Sequence, residues 1–348
     1  MKILVIGPSW VGDMMMSQGL YRTLKAEHPD AEIDVMAPAW CRPLLSRMPE
    51  VNEALAMPLG HGALALGERY RLGKALRHKN YQRAYVLPGS FKSALVPFFA
   101  GIARRTGWRG EMRYGLLNDL RVLDKPAFPL MVERYVALAY DKPVKNARDL
   151  PQPLLWPQLQ VEEQEKIETA ALFSLSADRP IIGFCPGAEF GPAKRWPHYH
   201  YATLAQQLIT AGYQIVLFGS AKDHETGEQI RQSLDEPAQQ YCRNLAGETK
   251  LEQAVILLAH CRAVVTNDSG LMHVAAALNR PLVALYGPSS PDFTPPLSHH
   301  ARVIRLISGY HKVRKGDAEE GYHQSLIDIQ PARVMEELTA LLSQQEPA

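Results

Sequence analysis

Residues 263–277 read AVVTNDSGLMHVAAA, in which an apolar run passes through a tight turn into a helical pattern. The run at 263–266 is short and rich in β-branched residues, which is typical of a buried strand. The small residues from Leu271 onward predict a helix that lies close against its sheet. A strand joined to a helix by so short a turn is the repeating unit of a parallel α/β sheet.

The same alternation continues outward along the chain. In the second half we predict strands at 181–185, 214–218, 282–286 and 303–306, with helices at 201–211, 223–234, 251–260 and 332–342. In the first half we predict strands at 3–6, 33–37, 53–57, 84–87 and 104–108, with helices at 14–27, 63–77 and 91–100. Four prolines between 143 and 157 separate the halves. The pattern predicts two doubly wound domains that meet near residue 155, with ligands in the cleft between them.

Composition narrows the class of protein. The 348 residues carry 38 Lys plus Arg and 36 Asp plus Glu, a net charge of +2, which argues against a nucleic-acid binder. The four cysteines are widely spaced, so neither a disulfide framework nor a zinc site is expected. No apolar run approaches 18 residues, and the four apolar residues at 3–6 are too few for a signal peptide. We expect a cytoplasmic protein that can still work at a membrane surface.

Two loops of the second half suit an anionic ligand. In the opening stretch, Asp268, Ser269 and Gly270 begin a helix, and His273 follows one turn later on the same side as Ser269. The loop after the strand at 181–185 is glycine-rich and carries Lys194 beside Arg195, which favours phosphate contact. The alternatives are an ordinary helix cap at Asp268, a structural histidine at 273 and a solvated basic loop.

The first strand of the chain leads into Gly7-Pro8-Ser9-Trp10-Val11-Gly12-Asp13. This turn lacks the G-x-G-x-x-G dinucleotide motif, and Asp13 stands where a P-loop has its lysine. Asp13 either caps the following helix or serves as a general base held near a helix start.

Two basic segments suit an anionic sugar or phosphate acceptor, although a solvated face explains either of them as well. One is the loop at 311–315. The other combines arginines with an aromatic residue, namely Arg104, Arg105, Trp108, Arg109 and Arg113.

Three of these motifs occur together in one chain: Gly12-Asp13, Lys194-Arg195-Trp196-Pro197 and Asp268-Ser269-Gly270-x-x-His273. In this combination the chain resembles the bacterial heptosyltransferases of lipopolysaccharide core synthesis, glycosyltransferase family nine. The resemblance covers nearly the whole chain. It implies the GT-B fold, with an acceptor-binding domain at 1–155, a nucleotide-sugar-binding domain at 156–330, and a C-terminal helix at 331–348 that crosses back to the first domain.

The resemblance also implies an inverting transfer of L-glycero-D-manno-heptose from ADP-heptose to the 3-hydroxyl of the first heptose of heptosyl-Kdo2-lipid A. Asp13 would be the base, and the arginine segment would bind the acceptor. The donor would be held by Gly12, Lys194, Glu225, Thr249, Asp268, Ser269, Gly270 and His273. The resemblance further implies a monomer at the cytoplasmic face of the inner membrane.

The loop before Lys194 departs from the family pattern, because Glu189 and Phe190 stand where some relatives carry hydroxyl residues. No Asp-x-Asp motif is present, so no obligate metal or other cofactor is expected. Three alternatives stay open: transfer to another core position, a nucleotide-sugar 2-epimerase on the same fold, and a non-catalytic nucleotide-sugar-binding protein.

Overall fold

The computed structural model describes residues 1–60, 62–189, 191–309, 311 and 313–344. Phe190, Lys312 and residues 345–348, which belong to segments discussed above, lie outside the described residues. The chain divides into two units, Met1–Pro157 and Gln158–Ala348. This division falls two residues beyond the boundary predicted from the proline-rich stretch.

The first unit contains a six-stranded parallel sheet with the strand order β3-β2-β1-β4-β5-β6. The strands are β1 (Lys2–Ile6), β2 (Glu32–Ala37), β3 (Val51–Ala56), β4 (Arg83–Val86), β5 (Arg104–Trp108) and β6 (Asp119–Arg121). Five of these strands were predicted from the alternation. The sixth, β6, escaped notice because three residues are too short to show a period.

Helices flank this sheet. They are α1 (Val11–Glu27), α2 (Arg42–Leu45), α3 (Leu66–Leu76), α4 (Leu95–Phe99) and α5 (Met131–Val136). The long helix α1 packs along α5. A Cβ atom at Gly19 of α1 would lie 2.9 Å from Val132 Cγ2 of α5, so the absent side chain allows the close approach. Helix α5 was not predicted.

The second unit repeats the design with the strand order β12-β11-β10-β7-β8-β9, again entirely parallel. The strands are β7 (Ile181–Cys185), β8 (Gln214–Leu217), β9 (Cys242–Asn244), β10 (Ala263–Asn267), β11 (Leu282–Tyr286) and β12 (Ala301–Arg305). Every residue of the four central strands is buried, which explains why they read as continuous apolar runs. The short strand β9 was not predicted.

The helices of the second unit are α6 (Glu163–Leu172), α7 (His198–Thr210), α8 (His224–Gln232), α9 (Glu236–Gln239), α10 (Leu251–His260), α11 (Gly270–Ala277), α12 (Gln324–Ile327) and α13 (Pro331–Ser343). Within the described residues, no helix combines the length and apolarity needed to cross a bilayer. All four cysteines are buried as free thiols, in agreement with the expectation of no disulfide.

The last helix, α13, is amphipathic. Its apolar stripe, Val334, Leu338 and Leu341, is buried in the core of the second unit, and the helix packs on α7 and β11. An amphipathic helix of this length has one apolar face to bury.

Candidate active site

The donor candidates of the second unit follow four neighbouring strands. Asp268 follows β10, Lys194 lies in the loop after β7, Glu225 is in the first turn of α8 after β8, and Thr249 comes after β9. Parallel strands that pair side by side end at the same edge of the sheet, where ligands of such folds bind. The structure therefore places most of the predicted donor residues along one edge. Gly12 is the exception, because it lies in the first unit.

The central contact of this edge is an ion pair between Lys194 and Asp268. Lys194 Nζ lies 2.7 Å from Asp268 Oδ2, and the side chains are 21% and 11% exposed. Lys194 ends a short 3-10 turn, Pro192–Lys194, so its backbone is held in a hydrogen-bonded loop. A cation and a carboxylate held together at a half-buried edge can bind a phosphate and a sugar hydroxyl respectively.

Asn267, the last residue of β10, anchors the Lys194 loop. Its Oδ1 accepts hydrogen bonds from the Trp196 backbone N–H and the Tyr201 hydroxyl, each at 3.1 Å. Its Nδ2 donates to the Pro186 carbonyl at 2.6 Å. Asn267 is completely buried, so these bonds fix the β7–α7 loop against β10. Sequence reasoning quoted Asn267 within the motif and assigned it no role.

The start of α11 has the features expected of an anion-binding helix terminus. Ser269 is the N-cap residue in an extended conformation, and its side chain makes no capping hydrogen bond. Its hydroxyl lies 3.4 Å from the Thr266 hydroxyl. Gly270 opens the helix, whose first N–H groups have no acceptor within the helix itself. The helix therefore begins with free donors beside Asp268, which pairs with Lys194.

His273 lies one turn into α11 and is 6% exposed. Burial lowers the pKa of His273 to about 4; the nearby Asp268 opposes this shift and Lys194 adds to it. The imidazole is therefore neutral at pH 7. It can hydrogen-bond to a ligand or orient a neighbour, but it does not supply positive charge.

A second anchor of this edge is Asp223, which sequence reasoning missed. Its carboxylate accepts from the Ser220 N–H at 2.9 Å and from the Ser220 hydroxyl at 2.7 Å, and it lies 3.4 Å from Arg195 Nη2. Gly187 packs so tightly here that a Cβ atom would lie 2.5 Å from Asp223 Cγ. The signal was present as a capping box, Ser220-x-x-Asp223, at the end of β8.

The remaining donor candidates are less constrained. Glu225 is exposed, and Thr249 is partly buried just before α10. The basic segment at 311–315 approaches the donor loop, since the Arg314 carbonyl accepts from the Ala193 N–H at 3.4 Å. The side chains of Arg314 and Lys315 are exposed.

In the first unit, Asp13 lies inside the first turn of α1, whose N-cap residue is Trp10. Asp13 therefore does not occupy the cap position itself. Burial raises the pKa of Asp13 from 3.8 to about 6. A carboxylate with this pKa is ionised at neutral pH and is a better proton acceptor than an ordinary aspartate, as a general base requires.

The arginine segment proves largely structural. Arg104 forms ion pairs with Asp119 at 3.0 Å and Asp141 at 2.6 Å. Arg113 is 1% exposed and donates to the Pro88 carbonyl at 2.6 Å.

Two more members of this segment also have partners within the unit. Arg105 donates to the Leu116 carbonyl at 2.6 Å, and Trp108 Nε1 donates to the Arg134 carbonyl at 2.9 Å. Arg109 is the member of the five whose side chain is exposed. Arg109 is therefore the member of the segment most accessible to a ligand.

Two Rossmann-like units, each with candidate ligand residues at the carboxyl edge of a parallel sheet, have the architecture of the GT-B fold, which enzymes that act on nucleotide sugars share. The chain belongs to glycosyltransferase family 9 (heptosyltransferase), which it matches over residues 69–323. The family predicted from the motifs is thereby confirmed.

Individual relatives are similar over the full length. The chain is 79% identical to lipopolysaccharide heptosyltransferase 2 of Escherichia coli, over 99% of this chain and 100% of the relative. It is 63% identical to lipooligosaccharide heptosyltransferase 2 of Haemophilus influenzae, with 99% and 100% covered. The solved structure of E. coli ADP-heptose lps heptosyltransferase II superposes with a TM-score of 0.92 at 74% identity, covering 100% of both chains.

Proposed function

We propose that this chain transfers L-glycero-D-manno-heptose from ADP-heptose to the 3-hydroxyl of the first heptose of the lipopolysaccharide inner core and releases ADP. The observation that carries the proposal is the identity of 79%, along the whole chain, to a protein named lipopolysaccharide heptosyltransferase 2. Membership of a heptosyltransferase family favours transfer over epimerisation or simple binding.

On the donor side, the diphosphate would lie against Lys194 and the N-terminus of α11. The ion pair with Asp268 supports this assignment, because it holds the Lys194 ammonium next to the residue that precedes the start of α11. When the diphosphate binds the Lys194 ammonium, the Asp268 carboxylate would accept a hydrogen bond from a heptose hydroxyl. Neutral His273 would hydrogen-bond without adding charge.

On the acceptor side, Asp13 would take the proton of the heptose 3-hydroxyl. The oxygen then forms a bond to the anomeric carbon of the donor while the bond from that carbon to the diphosphate oxygen breaks. Attack from the face opposite to ADP inverts the anomeric configuration. The raised pKa of Asp13 supports this role, since its carboxylate binds a proton more readily than a solvated one. Arg109 would contact an anionic group of the acceptor.

The charge of departing ADP would be stabilised by Lys194 and the α11 terminus, so we expect no obligate metal. We further propose that the enzyme is a cytoplasmic monomer in peripheral contact with the inner membrane, because its acceptor is a glycolipid.

The experiment is ADP release measured with donor alone, acceptor alone and both together. The proposal predicts release only when both substrates are present, and retention of that rate in EDTA. Conversion of ADP-heptose without an acceptor would instead indicate epimerase or hydrolase chemistry. Binding without turnover for every core acceptor would indicate a non-catalytic protein.

A further inference from the structure

Helices α3 and α4 of the first unit expose large apolar side chains on one surface. Leu66, Tyr70 and Lys74 follow each other at four-residue intervals on α3, so they form one stripe. Phe98 extends this stripe from α4. We call these four residues the α3–α4 face. Leu66 is 52% exposed, Tyr70 42% and Phe98 40%.

The face is rigidly built. A Cβ atom at Gly73 of α3 would lie 2.6 Å from Phe99 Cβ and 2.8 Å from the Val96 carbonyl of α4, so the two helices touch at this glycine. The Tyr70 and Phe99 rings meet edge to face at 5.2 Å, and the Phe98 and Phe99 rings lie 5.6 Å apart. The exposed rings are thus held in place by packing beneath them.

A buried arginine fixes the segment that leads into the face. Arg69 is 4% exposed and donates from Nε to the Leu64 carbonyl at 2.7 Å and from Nη2 to the Ala63 carbonyl at 3.1 Å. The segment it fixes carries Leu64, which is 52% exposed and adds apolar area beside Leu66. The outward position of these leucines is therefore specified by hydrogen bonds.

Cations accompany the apolar groups. Lys74 Nζ lies 5.2 Å from the centre of the Tyr70 ring, and Arg105 Cζ lies 5.4 Å from that of Phe98. Of the five Lys or Arg in residues 62–79, Arg71, Lys74 and Arg77 are exposed, and the stretch has one acidic residue. The other two cations are used within the fold, because Arg69 is buried and Lys79 is paired with Glu53. Apolar and aromatic groups rimmed by Lys and Arg match the chemistry of an anionic bilayer surface.

One end of the α3–α4 face lies towards the acceptor edge. Helix α3 follows β3, and the 3-10 turn that precedes α4 begins at Phe91, just after β4. Leu66 opens α3 and so lies towards the carboxyl edge of the sheet, where α1 begins with Asp13. Lys74 and Phe98 lie near the ends of their helices, which lead into β4 and β5 at the opposite edge. We propose that the α3–α4 face docks the first unit on an anionic phospholipid bilayer. This inference rests on the proposed function, since a lipid-linked acceptor is what brings the enzyme to a membrane.

The test is co-sedimentation of the full chain with vesicles of phosphatidylethanolamine and phosphatidylglycerol at 3:1, compared with phosphatidylcholine alone. The charge variant Arg71→Glu/Lys74→Glu should bind the anionic vesicles at least about tenfold more weakly, since each cation near such a surface contributes about fivefold. Both residues are exposed, so folding should be retained. Its matched control is Lys142→Glu/Lys145→Glu, a second exposed pair in the first unit, which should bind like the unchanged chain.

The apolar variant Leu66→Ser/Phe98→Ser should also lose binding. Its control is Ile167→Ser/Leu172→Ser on α6, where the two side chains are 53% and 66% exposed. Equal binding by the face variants and their controls would overturn the proposal. A second result would also overturn the proposal: face variants that bind vesicles like the unchanged chain but sediment with a lower mass. The face would then join two copies of the chain.

An assay of heptose transfer to a water-soluble, lipid-free core acceptor tests the proposed function separately from the docking proposal. Face variants that keep this activity but lose vesicle binding support docking. If the unchanged chain transfers no heptose yet binds vesicles through the face, the proposed function fails and docking stands.

Discussion

Replacing Asp13 by asparagine tests the base through folding stability as well as through rate. Asparagine has nearly the same shape but carries no charge. In the folded chain, burial raises the pKa of Asp13 from 3.8 to about 6. The folded state therefore binds the Asp13 proton more tightly than the unfolded state does, and the ionised carboxylate destabilises the fold above pH 6.

The difference between a pKa of 3.8 and one of about 6 corresponds to about 3 kcal/mol. Partial exposure of the carboxylate reduces this to about 1–3 kcal/mol. The favourable interaction of the Asp13 carboxylate with the N-terminus of α1 offsets about 0.3–1 kcal/mol of this burial cost. The burial cost wins, so Asp13→Asn should stabilise the first unit at pH 8 by about 1–2 kcal/mol, or roughly 2–8 °C in Tm. The gain should fade between pH 6 and 4.

The assay is thermal unfolding followed by near-UV circular dichroism at pH 8, 6 and 4.5. Asp30→Asn, at an exposed loop position, is the control and should leave Tm within about 2 °C at each pH. The same reasoning predicts that kcat/KM of the unchanged chain falls about tenfold from pH 7 to pH 5, as the carboxylate is protonated. A Tm difference that does not depend on pH, or a flat rate profile down to pH 5, would refute the reasoning.

Four further substitutions test the donor edge and the arginine segment. Lys194→Ala should weaken ADP binding by about 10–100-fold while adenosine binding barely changes, as measured by calorimetry; equal ADP affinity would remove Lys194 from the phosphate site. Asn267→Ala should destabilise the second unit by about 2–4 kcal/mol in urea unfolding, because the Trp196 N–H loses a buried partner. Arg113→Met should destabilise the first unit by about 2–4 kcal/mol, because Arg113 is buried. Arg109→Met should leave stability unchanged and raise the KM for the acceptor. A stability loss in Arg109→Met, or a raised acceptor KM without a stability loss in Arg113→Met, would contradict these roles.

The architecture was largely predictable because the central strands are buried on both faces. The run at 181–185 coincides with β7, every residue of which is buried, and the run at 282–286 coincides with β11, which is buried throughout as well. The strands that escaped prediction, β6 and β9, have three residues each and mix polar with apolar positions. The position of α13 could not be read from its sequence, since an apolar stripe shows that a helix packs but not which unit receives it.

The sequence showed the motifs that contribute to the candidate site, but not the contacts between them. The pairing of Lys194 with Asp268 joins residues 74 positions apart, so it depends on β7 and β10 being neighbours. The arginine segment shows the opposite case, because its charge density suggested a ligand while the fold uses Arg104 and Arg113 internally. Side chains that satisfy buried carbonyls and side chains that bind ligands look alike in a sequence.

The central claim is heptosyl transfer to a core that already carries one heptose. It is tested most directly by ADP release from ADP-heptose with lipid A–Kdo2 acceptors bearing zero, one or two heptoses. We predict turnover with the one-heptose acceptor and little with the others, and a product linked through the 3-hydroxyl. Equal turnover with the acceptor that lacks heptose, or release of ADP with no acceptor at all, would contradict the account.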